Sequence, residues 1–259
     1  AGPGAGIGAN FAVIGMGTDN SGSLRIPSAY NGLYTIRSST GMVSQSGVFP
    51  RGNLDGVIGP MTRNVTDLAT VMDVIAQKDS KDTKTVDVPR PENYAAYLNI
   101  DAFKGKRIGI LSSAFGVSTT RGASKSIKEI FNDAAKRMQQ LGATIVPNIT
   151  LPKFNPDRSN NMAGEVQQVD QYLKSFPSTR QSYKDICESG RTIIFGGRKG
   201  CLKHVATNPG VNSATYKKVL QIFKYNRAYI TKVMQDNNLD ALLLPVDAHG
   251  AAPISGTKG

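Results

Sequence analysis

The feature that most constrains the fold is a short apolar run followed directly by a turn rich in glycine and serine. The run covers residues 11–16 and lies between Asn10 and Gly17. Because it is short and bounded by turn-forming residues, it predicts a buried β-strand rather than a helix. Residues 17–28 then read Gly-Thr-Asp-Asn-Ser-Gly-Ser-Leu-Arg-Ile-Pro-Ser. A hydroxyl placed just after a strand and a sharp turn is typical of an exposed nucleophile.

The same turn has the composition of an anion-binding loop. Asn20, Ser21 and Gly22 tolerate unusual backbone angles, so successive N–H groups can point into one concavity. Ser23 follows at once, and its hydroxyl could attack a carbonyl whose developing negative charge lies against these N–H groups. We therefore predict Ser23 as the nucleophile and the backbone of Asn20, Ser21, Gly22 and Ser23 as an oxyanion hole. Taken alone, each of these residues would be read as an ordinary turn residue.

A serine nucleophile needs a base, and the sequence gives no local candidate. The two histidines, His204 and His249, lie far along the chain, and no local pattern pairs either with an orienting carboxylate. A triad assembled from remote segments stays open, because such triads form in space rather than in sequence. A serine–lysine arrangement is the alternative.

Three blocks of sequence, in order and correctly spaced, resemble the core motif of the amidase signature family. They are residues 2–6 (Gly-Pro-Gly-Ala-Gly), residues 17–27, and residues 59–67 (Gly-Pro-Met-Thr-Arg-Asn-Val-Thr-Asp). Weaker similarity continues at residues 106–110 and 239–245, and the middle of the chain is the least diagnostic. The resemblance thus spans most of the chain at uneven strength.

The resemblance implies both a fold and roles for the turn. The fold is α/β, with a mixed twisted sheet flanked by helices on both faces. Ser23 matches the nucleophile that forms the acyl-enzyme, and the N–H groups of residues 20–23 match the oxyanion hole. Thr18, Asp19 and Arg25 match residues that brace the loop. From the residues alone, Asp19 and Arg25 would be a surface ion pair of little energetic weight.

The resemblance also implies a base. In this family a lysine acts through a second serine, and both lie N-terminal to the nucleophile. They would align before Ala1, so we expect an incomplete fold and no amidase activity from this chain alone. We interpret residues 1–259 as one partial domain, with a nucleophile-loop core in 1–76 and a substrate-channel insertion in 155–210.

Three classes of function follow. The leading one is an amidase acting on a small-molecule amide. The second is the A-type subunit of a glutamine-dependent aminoacyl-tRNA amidotransferase, which the net charge of +12 mildly favours. Ile26 disfavours it, because those relatives usually have glutamine at this position of the motif. The third is a non-catalytic remnant. An incomplete sheet would leave edges and apolar faces exposed, so self-association is expected.

Composition and motif content disfavour several other classes of function. The basic residues are scattered without interleaved aromatics, which disfavours a nucleic-acid reader. No apolar run approaches the roughly 20 residues of a membrane-spanning helix. Cys187 and Cys201 indicate neither a zinc cluster nor a disulfide framework, and two unpaired thiols are favoured over one bridge. The glycine-rich start lacks the Lys-Ser/Thr ending of a phosphate-binding loop, so no cofactor is expected. Cys201 and His204 have a metal-like spacing but no partner pair, so no metal is expected either. The compartment is left open, with the cytoplasm slightly favoured.

Periodicity predicts alternating helices and strands beyond the motif. Helices are expected at residues 65–76, 124–141 and 212–237, strands at 108–111, 143–149 and 241–246, and a surface loop at 78–91. The order of strand, helix and strand around residues 108–149 predicts a parallel crossover.

Overall fold

The computed structural model describes residues 1–50, 54–115, 124–157, 159–191 and 197–251. Its first layer is an antiparallel sheet in the order β1-β3-β2. The strands are β1 (Gly15–Asp19), β2 (Tyr34–Thr35) and β3 (Val57–Thr62). Three helices pack around this sheet: α1 (Gly2–Gly8), α2 (Arg25–Tyr30) and α3 (Val65–Ile75). The glycine-rich start is thus a helix whose Gly4 lies against Pro27 of α2.

The predicted buried strand at residues 11–16 is wrong in both position and burial. The side chains of Phe11 and Val13 are 87% and 66% exposed, and the strand starts at Gly15. Its partner sets this boundary, because Gly15 pairs with Met61 near the end of β3. Arg63, just beyond β3, donates to two backbone carbonyls: that of Ile7, before the run, and that of Ala12, within it. Residues 11–14 therefore have no strand to pair with in the described chain.

A second sheet is parallel, in the order β5-β4-β6, and it confirms the predicted crossover. It contains β4 (Arg107–Leu111), β5 (Thr144–Ile149) and β6 (Ala241–Leu243). Helix α4 (Lys125–Gln140) joins β4 to β5 and begins where the Ser124 side chain accepts a hydrogen bond from the Ile127 N–H. The α/β class is confirmed, although the described strands form two separate sheets instead of one.

In the described part of the chain, four more helices lie between β5 and β6. They are α5 (Glu165–Lys174), α6 (Tyr183–Glu188), α7 (Gly197–Thr207) and the 23-residue α8 (Ala214–Asp236). Single 3₁₀ turns cover Thr83–Thr85, Ala95–Tyr97 and Ser112–Phe115. None of the helices in the described ranges is long and apolar enough to cross a membrane.

The expectation of two unpaired thiols is also wrong. Cys187 of α6 and Cys201 of α7 form a disulfide, with their Cα atoms 5.7 Å apart. Both residues are buried, at 1% and 5% exposure. The two positions are 14 residues apart in a segment without a clear period, so their approach depends on how α6 and α7 pack.

Candidate active site

Asp19 organises the turn that follows β1. Its side chain is fully buried, and its two oxygens accept hydrogen bonds from the N–H groups of Gly22 (2.7 Å) and Leu24 (3.3 Å). Arg25 adds a two-pronged ion pair, with Nε 2.9 Å from Oδ2 and Nη2 3.2 Å from Oδ1. Arg37 Nε approaches the same carboxylate at 3.5 Å. The pairing of Asp19 with Arg25 is therefore an internal brace rather than a surface ion pair.

The electrostatics of Asp19 follow from this geometry. Burial by itself would raise the pKa of the carboxyl group, because a charge is costly away from water. The hydrogen bond from Arg25, followed by that from the Gly22 N–H, outweighs burial and lowers the pKa from 3.8 to about 2. Asp19 is thus a fixed negative charge at neutral pH, and it holds both backbone and side chains of the turn.

Gly22 is required by the path of the chain. Its φ angle is +120°, a region that residues with a side chain rarely adopt. A Cβ at this position would also lie 2.7 Å from Cδ1 of Ile26. The Gly22 carbonyl accepts the Ile26 N–H at 2.8 Å and so starts α2. The turn therefore passes into α2 at Arg25, two residues after Ser23.

Ser23 is exposed at the end of this turn. Within the described part of the chain, neither its hydroxyl nor its backbone N–H has a hydrogen-bond partner. The Gly22 N–H, by contrast, donates to Asp19, so it braces the loop in this structure. An exposed hydroxyl beside an unengaged N–H is an arrangement that can accept an acyl group and stabilise an oxyanion.

Two clefts border the turn. The polar cleft, about 220 Å³, is lined by Thr18 and Asn20, by Gln45 and other residues of the segment 45–50, and by Gln168 of α5. The inter-sheet cleft, about 700 Å³, is lined by Asn20, Arg25 and Arg37 on one side. Its other side includes Leu111, Phe154, Ile230 and Leu244. Ser23 lines neither cleft, but Asn20, three residues before it, borders both.

The inter-sheet cleft lies where α/β proteins commonly bind ligands. Leu111 is the last residue of β4, and Leu244 directly follows β6. Ligands of parallel sheets bind outside the carboxyl ends of the strands. The predicted nucleophile turn thus faces the carboxyl edge of the second sheet.

Helix α5 forms a wall of the polar cleft. Besides Gln168, it carries Tyr172, whose hydroxyl donates to the Gly47 carbonyl at 3.2 Å. The Tyr172 ring packs edge-on against Phe49 at 5.4 Å. This wall lies within residues 155–210, the segment predicted as a substrate-channel insertion.

The sequence analysis did not predict the contact between His204 and Glu165, which joins α7 to α5. His204 Nε2 of α7 lies 2.8 Å from Oε2 of Glu165 on α5, and Glu165 is buried. The partners are 39 residues apart, so no local signal links them. This contact does not involve Ser23. The described residues contain no cluster of His, Cys, Asp and Glu suited to a metal ion.

Comparison with known protein families identifies the family of this chain. The family model described as Amidase matches residues 1–258, and the chain belongs to the amidase family. A curated relative, the A-type subunit of glutamyl-tRNA(Gln) amidotransferase from Clostridium botulinum (strain Okra / Type B1), is 31% identical over 95% of this chain. Its counterpart from Prochlorococcus marinus (strain NATL2A) is 28% identical over 94%. The chain spans about half the length of these relatives, 51% in each case.

Solved structures agree on the fold. The peptide amidase of Stenotrophomonas maltophilia is 25% identical, with a TM-score of 0.79 over 94% of this chain and 51% of that one. An amidase family protein of Bacillus anthracis str. Ames is 27% identical, with a TM-score of 0.76 over 93% of this chain and 48% of that one. The two sheets and their helices therefore belong to the amidase fold, of which this chain covers about half.

Proposed function

We propose that this chain carries the nucleophile of an amide hydrolase and that Ser23 forms the acyl-enzyme. The observation that carries the proposal is the exposed Ser23 hydroxyl beside an unengaged N–H, on a turn braced by buried Asp19. Membership of the amidase family supports the same reaction. The substrate would be a small-molecule amide bound in the clefts on either side of Asn20.

The proposed reaction has two steps. Ser23 Oγ attacks the amide carbonyl carbon, a C–O bond forms, and the carbonyl oxygen takes up negative charge near the unengaged backbone N–H of Ser23. The C–N bond then breaks, the serine proton leaves with the amine, and water later hydrolyses the ester. Thr18, Asp19 and Arg25 would hold the turn without touching the reacting atoms.

The proton of Ser23 requires an acceptor. No described residue hydrogen-bonds to the hydroxyl, so a base has to reach it for amide cleavage. The family resemblance implies a lysine acting through a second serine. Without such a base, we expect the 259-residue chain to turn over amides slowly and to be acylated more readily by activated esters.

Acylation by p-nitrophenyl acetate tests the proposal, since a good leaving group lowers the demand for a base. We expect a burst of nitrophenolate and one acetyl group on Ser23 by peptide mass spectrometry. The Ser23→Ala variant should lose the burst by about tenfold or more, in line with removal of the nucleophile. Ser80→Ala, at an exposed turn, is the matched control and should retain it. An unchanged burst in Ser23→Ala, or acetyl groups only elsewhere, would refute the assignment.

A second candidate function is that of the A-type subunit of a tRNA-dependent amidotransferase. The identity to that component of glutamyl-tRNA(Gln) amidotransferase favours it, whereas Ile26 in place of the usual glutamine disfavours it. Both functions share the same acyl-enzyme, so acetylation of Ser23 does not separate them. Binding of tRNA at physiological salt does, because scattered charge loses affinity steeply as salt rises. We expect no tRNA binding under that condition, and salt-resistant binding would favour the amidotransferase function.

A further inference from the structure

Helices α5 (Glu165–Lys174), α6 (Tyr183–Glu188) and α7 (Gly197–Thr207) are joined pairwise into one unit, which we call the three-helix unit. The Cys187–Cys201 bridge joins α6 to α7. The Glu165–His204 pair joins α5 to α7 at 2.8 Å. The Tyr183 N–H at the start of α6 donates to Asp170 of α5 at 2.7 Å. Each helix is therefore tied to both of the others.

Helix α5 contacts α7 and the polar cleft through different residues. Glu165 and Val169, four positions apart, are buried, and Glu165 makes the contact with α7. Gln168 and Tyr172, also four positions apart, face the segment 45–50 at the cleft. Residues three or four positions apart are neighbours on a helix, so these four residues lie on one face of α5. Whatever fixes this face against α7 therefore also fixes it at the cleft.

The bridge is important because α6 is short. It has six residues, and helices of fewer than about 12 residues are marginal in water without tertiary contacts. Its links to the neighbours include the bridge, the Asp170 contact and the edge-on packing of Tyr183 on His204 at 5.8 Å. An ion pair also joins Glu188 of α6 to Arg198 of α7 at 3.9 Å. Loss of the bridge would remove the covalent member of this set and loosen the contacts around His204.

We propose that the Cys187–Cys201 bridge and the Glu165–His204 pair are positioning groups that hold α5 at the polar cleft. The importance of the cleft rests on the proposed function, but the coupling itself does not. Reduction by a dithiol transfers two electrons and two protons, breaks the S–S bond, yields two thiols and leaves the dithiol as a disulfide. The shape of the cleft then depends on the oxidation state of a bridge that does not line it.

Hydrogen exchange measures this coupling directly. In the reduced chain, and in the Cys187→Ala/Cys201→Ala variant, we expect amides of residues 165–174 and 44–50 to exchange about tenfold faster, as in a local opening. Strands β4 and β6 of the parallel sheet should be unchanged and serve as the internal reference. Dithiol added to the double variant should have no further effect, which controls for the reagent.

Two results would overturn the proposal. Faster exchange confined to α6 and α7, with residues 44–50 unchanged, would show that the bridge does not reach the cleft. Faster exchange in all segments alike would show a general loss of stability instead of positioning. Because exchange does not depend on catalysis, these outcomes stay distinct from failure of Ser23 to be acetylated.

A second variant separates the Glu165–His204 pair from the bridge. Glu165→Gln keeps the shape of the side chain and removes its charge, so exchange in residues 44–50 should rise while the bridge stays intact. In acetylation by p-nitrophenyl acetate, the concentration for half-maximal rate should rise about threefold or more with little change in the maximal rate. Glu129→Gln, on the exposed side of α4, is the matched control. A fall in maximal rate alone would contradict a positioning role.

Discussion

At the residue scale, the central group is Asp19, a buried charge at the end of β1 that contacts the turn and two arginines. Its pKa in the folded protein is about 2, below the ordinary value of 3.8. Because its pKa is lowered on folding, the carboxylate stabilises the fold fully at pH values above its ordinary pKa. This contribution is lost as the pH falls towards the pKa of the folded protein. By linkage, a shift of this size corresponds to roughly 2 kcal/mol.

Replacement of Asp19 by asparagine should remove that pH dependence. The variant leaves Arg25 without its buried partner, so we expect the free energy of unfolding at pH 7 to fall by about 2–3 kcal/mol. Urea unfolding at a series of pH values checks this, and the difference between wild type and variant should shrink from pH 4 to pH 2. Asp133→Asn, on the exposed side of α4, should change little. An equal loss at pH 2 and pH 7 would contradict the role of the charge.

Residues close in sequence were the predictable part of the site. The family resemblance matched Asp19 and Arg25 to residues that brace the loop, and in the structure Asp19 binds both the Gly22 N–H and Arg25. Arg37 as a second cation, and the Glu165–His204 pair, were not predictable. Their contacts depend on how distant elements pack, and a single sequence contains no local signal for that.

At the scale of elements, long periodic segments were predicted well. Helices expected at 65–76, 124–141 and 212–237 occur at Val65–Ile75, Lys125–Gln140 and Ala214–Asp236. Each has an apolar repeat and a side-chain cap at its N-terminus, so the local signals agree. The strand expected at 11–16 failed because a strand ends where its partner ends, and the partner β3 lies about forty residues away in sequence.

Strand β3 offers a test of how tightly the first layer packs. Gly59 lies opposite Gly17, and a Cβ on it would clash with the Ile36 carbonyl and approach Leu24 Cδ1 at 2.8 Å. We expect Gly59→Ala to lower the free energy of unfolding by about 1–3 kcal/mol, the usual cost of overpacking. Urea unfolding monitored by circular dichroism measures it.

The matched control for that substitution is Gly6→Ala. Gly6 lies in α1 with open space where a Cβ would be, so this variant should be neutral or stabilising by up to about 1 kcal/mol. An unchanged stability for Gly59→Ala would mean that β3 and the segment containing Ile36 can move apart without cost.

At the scale of the whole molecule, the described chain leaves large apolar side chains in contact with water. Phe11 and Val13 before β1, Ile100, and Ile130 on α4 are each at least 66% exposed. Ile130 also lines an apolar groove of about 470 Å³ between α4 and residues 245–251. Surfaces of this kind promote association between molecules.

We therefore expect the chain to self-associate as its concentration rises. Light scattering coupled to size exclusion should give a mass that increases with loading, and Phe11→Ser/Val13→Ser should reduce the increase. Val74→Ser removes an exposed side chain on α3 and is the control for lost hydrophobicity alone. A constant monomer mass for the wild type at every loading would contradict this expectation.

The pairing of the strands into two sheets was the least predictable property at this scale. Local patterns indicated which segments of the second sheet are strands, but the order β5-β4-β6 and the separate sheet β1-β3-β2 arise from long-range contacts. The α/β class was predictable from the family motif and from the strand–helix–strand order, because both are encoded in consecutive residues. The order of strands in a sheet is not encoded in this way.

The covalent link between α6 and α7 has a practical consequence for anyone who prepares this protein. Cells keep thiols reduced in the cytosol and permit disulfides in secretory compartments. Material harvested from a bacterial cytosol and material exported to the periplasm would therefore differ by one bond, even though their sequences are identical. Purification history, in addition to sequence, then becomes part of the description of a sample.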